Sequence, residues 1–275
     1  MSIAEVSGKT LDELVSLKGR RAVVTGGGRG LGKAIALRLA EAGADVLIGD
    51  IDEDLAHEAA ADVAQRYGVR AVGVAMDVAD SASVAAAADR AVGELGGVEA
   101  WINNAGIFPS IPLLEMSDAD WDKVFDVNAR GVFIGAREAA RRMSGAGTGG
   151  VIVNIVSTAG FRASAPGLAA YVGSKHAARG LTRELAVELA PLGIRVLGVA
   201  PSYVPTEGNL LMLRQALAAA GMPEGQEPPT ALMGTGPVGR PGVPDDIARV
   251  VLFCASDLAA FMTGSTLLAD GGDTA

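Results

Sequence analysis

The stretch that decides the fold is TGGGRGLGK (residues 25–33), which follows the apolar run RAVVT and opens an alanine-rich run. A glycine-rich turn between a strand and a helix lets backbone N–H groups approach a phosphate at the positive end of the helix. Three interpretations compete for it. It is the loop of a nucleoside-triphosphate hydrolase, the loop of a dinucleotide-binding protein, or a tight turn without a ligand.

The spacing of the glycines separates the first two interpretations. A hydrolase loop needs Ser or Thr directly after its Gly-Lys pair, because that hydroxyl holds magnesium, and Ala34 follows Lys33 here. The common dinucleotide pattern G-x-G-x-x-G also fails, since Leu31 occupies the place of its last glycine. The pattern present is T-G-x-x-x-G-x-G, which follows the same physical logic and favours a dinucleotide. Its glycines are Gly26, Gly30 and Gly32.

Short apolar runs alternate with alanine-rich helical stretches along the rest of the chain. The predicted strands cover 21–25, 45–50, 71–78, 98–106, 149–157, 194–201 and 265–272. The predicted helices cover 30–42, 52–66, 81–95, 118–143, 167–190 and 244–256. This alternation predicts a doubly wound α/β fold, with a mainly parallel seven-stranded sheet and helices on both faces in three αβα layers.

Length and composition indicate one domain over residues 1–275, since 275 residues with 49% hydrophobic content can bury a large core. Residues 1–18 are predicted to form an N-terminal arm. The Gly-, Pro- and Met-rich segment 207–243 is predicted to form a substrate flap above the sheet.

Charge and cysteine content exclude several classes of function. The net charge of −9 without a basic cluster argues against nucleic-acid binding. The single cysteine, Cys254, permits neither a disulfide within the chain nor a site of several thiolates, and we expect no metal. No apolar run has the length of a membrane span, and the first residues lack the pattern of a secretory signal, so we expect a cytoplasmic protein that does not enter a membrane.

Further motifs follow the glycine loop in a fixed order. They are NNAG at 103–106, Asn128 in VNARGVF, Ser157 after the fifth predicted strand, Tyr171 and Lys175 in YVGSK, and DGG at 270–272. Together they resemble the short-chain dehydrogenase/reductase family from residue 18 to residue 272. The resemblance implies a Rossmann-type fold and an NAD(P)-dependent oxidoreductase that acts on CH–OH groups.

The candidate catalytic pair is Tyr171 and Lys175, which lie four apart in a predicted helix and therefore share one face. A free tyrosine has a pKa of about 10, too high for a base at neutral pH. A nearby ammonium and an oxidised nicotinamide favour the phenolate, which then removes the alcohol proton. The resemblance assigns Ser157 to polarising the substrate oxygen, Lys175 also to the nicotinamide ribose, and Asn128 to a water that relays protons.

The choice of dinucleotide depends on two residues with opposite charge. Asp50 ends the second predicted strand, where a carboxylate accepts hydrogen bonds from both adenosine-ribose hydroxyls and repels a 2′-phosphate. Asp50 therefore favours NAD, whereas Arg29 leaves NADP open, because some NADP-using relatives have Arg there. The resemblance adds further contacts to the dinucleotide. They are Leu31, Ile51, Asp77, Val78, Asn104, Ala105, Gly106, Pro201, Val204 and Thr206.

The predicted substrate pocket is mostly apolar and suits a hydrophobic ligand. Its residues are Phe108, Thr158, Phe161, Leu168, Tyr203, Leu210 and Leu211. Each of them has a second interpretation, in packing of the core or of a subunit interface. The stretches NNAGIFP and APSYVPT are similar to aryl- and cyclic-alcohol dehydrogenases of the family, which favours NAD-dependent oxidation of a hydrophobic secondary alcohol to its ketone.

Two other functions remain open, an NADPH-dependent ketone or 3-oxoacyl reductase and a non-catalytic dinucleotide sensor or scaffold. The presence of Tyr171 and Lys175 argues against the sensor. Two departures from the family pattern concern the pocket. Ser157 and Tyr171 are one residue further apart than is commonest, and Ser202 replaces the usual glycine after Pro201. The resemblance also implies a homotetramer.

Overall fold

In the computed structural model, the described residues are 5–208, 210 and 236–275. Within them seven strands form one sheet in the order β3-β2-β1-β4-β5-β6-β7, and every neighbouring pair is parallel. The strands are β1 Arg21–Thr25, β2 Asp45–Asp50, β3 Ala71–Ala75, β4 Ala100–Asn103, β5 Gly150–Ile155, β6 Ile194–Pro201 and β7 Thr266–Ala269. The predicted doubly wound, Rossmann-type α/β fold is confirmed.

Helices connect the strands as the sequence predicts. They are α1 Leu11–Val15, α2 Gly30–Glu41, α3 Glu53–Tyr67, α4 Ser81–Arg90, α5 Asp118–Phe125, α6 Gly131–Ala146, α7 Ala169–Leu189 and α8 Pro244–Ala255. A π-helical turn, Asp126–Arg130, joins α5 to α6, and a second one, Ala91–Leu95, extends α4. Three short 3₁₀ turns cover Thr158–Gly160, Ala190–Leu192 and Asp257–Ala259. The single helix predicted at 118–143 is therefore three segments.

Two apolar cores lie on opposite faces of the sheet. Successive residues of one strand enter different cores, because side chains alternate across a strand: Val24 packs with α2, α3 and α8, and Val23 packs with α4, α6 and α7. β6 is buried along its whole length. Near-continuous burial of this kind is what a parallel sheet covered on both faces requires.

The order of the strands creates a crevice above β1 and β4. From β1 the chain proceeds outward to β2 and β3, and it then returns to add β4 on the other side. Loops leaving the carboxyl ends of β1 and β4 therefore diverge, and α/β proteins bind ligands at such a switch point. The glycine loop and the NNAG segment leave these two strands.

Four buried polar side chains fasten α7 to the centre of the sheet. The Trp101 indole N–H donates to Asn103 Oδ1 at 2.8 Å, and Asn103 Nδ2 donates to Asn154 Oδ1 at 2.8 Å. Asn154 Nδ2 in turn donates to Thr182 Oγ1 at 2.9 Å. Buried polar groups are costly unless they are paired, so this chain fixes how α7, which carries Tyr171, sits on β5.

The predicted flap lies mostly outside the described residues. Its end is described, and there the Val238 amide donates to Gly271 O at 3.2 Å, which places residues 236–239 against the turn that follows β7. No helix in the described ranges is long and apolar enough to cross a membrane.

Candidate active site

The glycine loop has a backbone that side chains would obstruct. Gly26 and Gly30 have φ values of +60° and +58°, which L-residues rarely adopt. A Cβ on Gly26 would lie 2.9 Å from Ala105 Cα, and one on Gly32 would lie 2.1 Å from the carbonyl oxygen of Gly26. The loop is therefore packed tightly on the NNAG segment, and it needs glycine at these positions.

Thr25 holds the two loops together. Its hydroxyl accepts hydrogen bonds from the backbone amides of Asn104 and Ala105, both at 3.0 Å. The Asn104 side-chain amide donates back to the carbonyls of Thr25 and Gly26, both at 2.9 Å. From the sequence, Thr25 is recognised only as the first residue of the T-G-x-x-x-G-x-G pattern. Its anchoring role could have been inferred from a hydroxyl that ends β1 directly before the first glycine.

The first turn of α2 is open to an anion. Arg29 precedes the helix, but its side chain does not cap the helix, and no acidic residue lies in the first turn. The unpaired amides of a helix N-terminus and the helix dipole both favour a phosphate. Leu31, in the first turn of α2, packs against the core. Thr206 lies at the rim of the glycine loop, since a Cβ on Gly30 would be 3.3 Å from Thr206 Cβ.

Asp50 lies beside the glycine loop at the carboxyl end of β2. Its Oδ2 accepts from the Gly28 amide at 2.9 Å and its Oδ1 from the Asp52 amide at 3.2 Å. A carboxylate offers about four lone-pair sites, so acceptor capacity remains for two ribose hydroxyls. Ile51, next to it, leaves 77% of its surface exposed. Arg29 is exposed on the other side of the loop and forms no ion pair with a described residue.

Asp77 and Val78 follow β3 on the same side of the crevice. The Asp77 amide donates to Ser83 Oγ at 3.0 Å, and its carboxylate accepts from the Ala79 amide at 2.9 Å. Val78 is buried, and it lies so close to Gly131 that a Cβ there would be 3.0 Å from Val78 Cγ2. The glycine loop, Asp50 and these two residues lie at the carboxyl ends of β1, β2 and β3, the edge of the sheet where α/β proteins bind dinucleotides.

Three of the four predicted catalytic side chains, those of Ser157, Tyr171 and Lys175, lie near the start of α7 and the end of β5. Tyr171 is in the first turn of α7, and its side chain is hydrogen-bonded to Ser157. Lys175 lies one turn later, and its Nζ is 5.7 Å from the centre of the Tyr171 ring. The Lys175 ammonium donates to the carbonyl oxygen of Ile155 at 2.9 Å. This backbone acceptor carries no sequence signal, and sequence reasoning missed it.

Burial perturbs both titratable groups. It raises the pKa of Tyr171, and the hydrogen bond from Ser157 acts in the opposite direction. Burial also lowers the pKa of Lys175 from 10.5 to about 8. The sequence predicts a tyrosine whose pKa falls beside an ammonium and an oxidised nicotinamide. In the structure, loss of hydration outweighs the effect of Ser157, and the pKa of Tyr171 lies above its usual value.

Asn128 is fully buried in the π-helical turn between α5 and α6. Its Oδ1 accepts from the Ile107 amide at 2.8 Å, and its Nδ2 donates to Ile107 O at 2.7 Å and to Ser174 Oγ at 3.1 Å. Gly106 lies beside both Asn128 and Lys175, since a Cβ there would be 3.2 Å from Asn128 Oδ1 and 3.6 Å from Lys175 Nζ. Asn128 thus ties the NNAG loop to α7, and Ser174 is a partner that sequence reasoning missed.

Part of the predicted substrate pocket borders Tyr171. The Phe108 ring stands edge-on to the Tyr171 ring, with centroids 5.9 Å apart. Leu168 directly precedes α7, and Thr158 is buried in the 3₁₀ turn after Ser157. The Ile111 amide donates to Gly167 O at 2.9 Å, which joins the loop after β4 to the long loop before α7.

The other predicted pocket residues are more scattered. The Phe161 ring packs against the Arg179 guanidinium, whose Cζ lies 3.9 Å from the ring centroid. Arg179 is two helical turns beyond Tyr171 along α7. Tyr203 is 38% exposed after β6, and Leu210 donates its amide to Thr206 O. Leu211 lies outside the described residues. Among the predicted dinucleotide contacts, Pro201 ends β6 and Val204 is buried, and between them Ser202 Oγ donates to Asp270 O at 3.4 Å.

Comparisons with known proteins agree with the fold. Residues 26–274 match the family model described as enoyl-(acyl carrier protein) reductase. The chain is 38% identical to a cyclopentanol dehydrogenase of Comamonas testosteroni, over 92% of this chain and 96% of that protein. It is 40% identical to a cis-4-hydroxycyclohexanecarboxylate dehydrogenase of Sinomonas cyclohexanicum, over 93% and 97%. The crystal structure of a short-chain type dehydrogenase/reductase from Mycobacterium marinum superposes with a TM-score of 0.86 at 35% identity, over 96% and 99%.

The fold and the site define a nicotinamide-dinucleotide oxidoreductase. The chain belongs to the short-chain dehydrogenase/reductase family. It is an enzyme that acts on CH–OH groups, interconverting alcohols and ketones, and its family uses NAD or NADP.

Proposed function

We propose that this enzyme is an NAD-dependent dehydrogenase that interconverts a hydrophobic secondary alcohol and its ketone. One observation carries the proposal: the Ser157 hydroxyl, the Tyr171 phenol and the Lys175 ammonium meet at the carboxyl ends of the strands, with the apolar ring of Phe108 beside them. An alcohol carbon that enters beside Phe108 meets both a hydrogen-bonding hydroxyl and a proton acceptor.

The chain's own residues divide the work of proton transfer. Ser157 binds and polarises the substrate oxygen, and Tyr171 takes the hydroxyl proton or returns it in the reverse direction. The buried Lys175 ammonium, fixed by Ile155 O, supplies positive charge within reach of the phenolate. NAD⁺, when bound, supplies the hydride acceptor and a second positive charge. Asn128 holds the loop and the helix in register and keeps one lone pair of Oδ1 for a relaying water.

The choice of NAD rests on Asp50. Its two oxygens are held by the amides of Gly28 and Asp52, so the negative charge is fixed at the place where a 2′-phosphate would have to fit. We expect Asp50→Ala to weaken NAD⁺ binding about tenfold or more and to strengthen NADP⁺ binding, as measured by isothermal titration calorimetry. Asp54→Ala, which removes an exposed carboxylate from the start of α3, is the matched control.

The second candidate is an NADPH-dependent ketone or 3-oxoacyl reductase, and the exposed side chain of Arg29, which has no ion-pair partner among the described residues, favours it. That side chain lies at the rim of the glycine loop and approaches Gly208, where a Cβ would be 3.8 Å from Arg29 Nε. If the wild-type enzyme binds NADP⁺ more tightly than NAD⁺, and Arg29→Gln abolishes that preference, the second candidate replaces the first.

The decisive experiment for activity uses NAD⁺ and a panel of cyclic, aryl and short linear secondary alcohols, with the absorbance of the reduced dinucleotide as the readout. The names of the two compared relatives support starting with cyclopentanol and hydroxycyclohexane carboxylates. Tyr171→Phe should lower turnover by about 10²–10⁴-fold and leave NAD⁺ binding intact. Tyr67→Phe, at the end of α3, is the matched control. Full activity of Tyr171→Phe would refute the role assigned to Tyr171, whereas binding of NAD⁺ without turnover of any alcohol by the wild type would favour a sensor or scaffold.

We extend the proposal to a homotetramer formed through α6 and α7. Phe133 on α6 and Val187 on α7 expose 43% and 73% of their surfaces, and large apolar side chains exposed on both helices are suited to an interface. Native mass spectrometry should show four copies. Val187→Lys should yield smaller species, whereas Val92→Lys, on the π-helical turn after α4, should leave the mass unchanged.

A further inference from the structure

A second groove lies apart from the catalytic group, between α7 and the turn that leads into β7. It is lined by Phe161, Arg179, Arg183, Gly264, Ser265 and Thr266. Arg179 and Arg183 are two and three helical turns beyond Tyr171, about 12 and 18 Å along the helix axis. The groove encloses about 230 Å³, less than the roughly 300–1,000 Å³ typical of sites for larger organic ligands, which favours a small occupant.

The two arginines of this groove are unusual within an acidic chain. Most described arginines form ion pairs with carboxylates, as Arg38 does with Asp245. Four described arginines form none: Arg29, Arg179, Arg183 and Arg195. Arg29 belongs to the glycine loop, and Arg195 is buried and donates to backbone carbonyls of Cys254 and Ser256. Two of the four therefore share one groove.

Nothing within the described part of the chain neutralises this pair. Arg183 has no hydrogen-bond or ion-pair partner there, and Arg179 donates only to Gly160 O at 3.4 Å. Residues four apart on a helix are neighbours, and like charges in that arrangement destabilise the helix. The groove lining contains no carboxylate. The arrangement becomes favourable only when an anion enters.

The remaining lining residues add polar groups of the right kind. The Phe161 ring covers one face of the Arg179 guanidinium at 3.9 Å, which holds the guanidinium plane and leaves its edge N–H groups to bind. Thr266 Oγ1 is buried and has no hydrogen-bond partner among the described residues, at a cost that a ligand acceptor would remove. Ser265 provides a second hydroxyl at the mouth.

We propose that this groove binds a small oxyanion of the phosphate class, held between Arg179 and Arg183 with the Thr266 hydroxyl as a third donor. Guanidinium groups present paired N–H donors that match phosphate oxygens, and charge-assisted hydrogen bonds are the strong ones. The site is independent of the dehydrogenase activity proposed above, because none of its residues belongs to the catalytic group.

The test is a calorimetric titration of the full-length protein with inorganic phosphate, at constant ionic strength maintained with sodium chloride and with NAD⁺ present. NAD⁺ occupies the glycine loop, so phosphate binding that persists reports the groove. We expect Arg183→Gln to weaken phosphate binding at least tenfold and Thr266→Val to weaken it by a smaller factor. The matched control is Arg66→Gln, which removes an exposed arginine paired with Asp62, and it should bind phosphate as the wild type does.

Three results would overturn the proposal. The first is that phosphate binds no more than chloride does in the salt control. The second is that wild type and Arg183→Gln bind phosphate with equal affinity. The third is that Arg183→Gln forms a smaller oligomer than the wild type and phosphate has no effect on either protein. The last result would assign the groove to a contact between copies of the chain. Because binding is measured without an alcohol substrate, a negative result here is distinguishable from failure of the dehydrogenase assay. If NAD⁺ itself does not bind, the comparison of wild type with Arg183→Gln still isolates the groove.

Discussion

Replacing Lys175 with methionine should change how the stability of this protein depends on pH. The Lys175 ammonium is buried, with 5% of the residue exposed, and its only hydrogen-bond partner in the described chain is the Ile155 carbonyl. Burial lowers the pKa of Lys175 to about 8, so the folded protein binds this proton less tightly than the unfolded chain does. The buried Lys175 ammonium is therefore a source of instability at neutral pH.

The size of the effect follows from the shift. A pKa that falls from 10.5 to about 8 corresponds to a penalty of about 3 kcal/mol when the lysine is charged. The penalty is fully present below about pH 8. Between about pH 8 and 10.5 the unfolded chain binds more protons, so the free energy of unfolding rises with pH. From about pH 7 to pH 9.5 the wild type should gain about 2 kcal/mol relative to Lys175→Met.

Equilibrium urea unfolding of both proteins across that range measures the difference, at one protein concentration and without dinucleotide. The two proteins are compared by how their free energy of unfolding changes with pH, rather than by its absolute value. This comparison removes the contributions of the lost hydrogen bond and the altered packing, because neither depends on pH. The upper limit of about pH 9.5 matters because the raised pKa of Tyr171 acts in the opposite direction above about pH 10. Lys123→Met, at an exposed position on α5, should parallel the wild type. Parallel curves for wild type and Lys175→Met would refute the reasoning.

Three further predictions concern other parts of the molecule. Gly32→Ala should weaken NAD⁺ binding at least tenfold, because the added Cβ would lie 2.1 Å from a carbonyl oxygen of the loop. Gly93→Ala, whose Cβ faces open space, should bind NAD⁺ as the wild type does. Equal losses of affinity in the two variants would contradict this. Thr182→Val leaves a buried amide unpaired and should lower the free energy of unfolding by about 1–3 kcal/mol in urea; no loss would argue against the polar chain. Asp273→Asn removes the exposed ion pair with Arg162, which lies on the loop after Ser157. The free energy of unfolding should fall by at most about 1 kcal/mol, and KM for the alcohol should rise. Added salt should raise KM only in the wild type, and an equal salt response in both proteins would exclude that pair.

Local sequence patterns predicted the architecture well. All seven strands lie within the predicted ranges, because β-branched and apolar runs bounded by glycine specify buried parallel strands. Asp52 caps α3 at the first residue of the predicted helix, since its carboxylate accepts from the Leu55 amide at 3.2 Å. The π-helical turn that carries Asn128 was not predicted. One extra residue in a helical turn leaves hydrophobic periodicity almost unchanged.

The catalytic pair was also accessible from sequence, because Tyr171 and Lys175 are four apart on one helix and local geometry brings them together. Their protonation was not. The raised pKa of Tyr171 and the lowered pKa of Lys175 both come from burial, and burial depends on how α7 packs against β5.

The amino-acid order alone therefore specified the glycine turn, the alternation of strands and helices, and the residues proposed to carry the chemistry. Packing decided which groups from distant segments meet: Thr25 with the NNAG amides, Lys175 with Ile155 O, and Arg179 with Phe161 in a groove away from the catalytic tyrosine. The physical reason is range. Turn geometry and helical periodicity act over a few residues, whereas hydration, charge and contact at a site depend on segments that only the folded chain brings together.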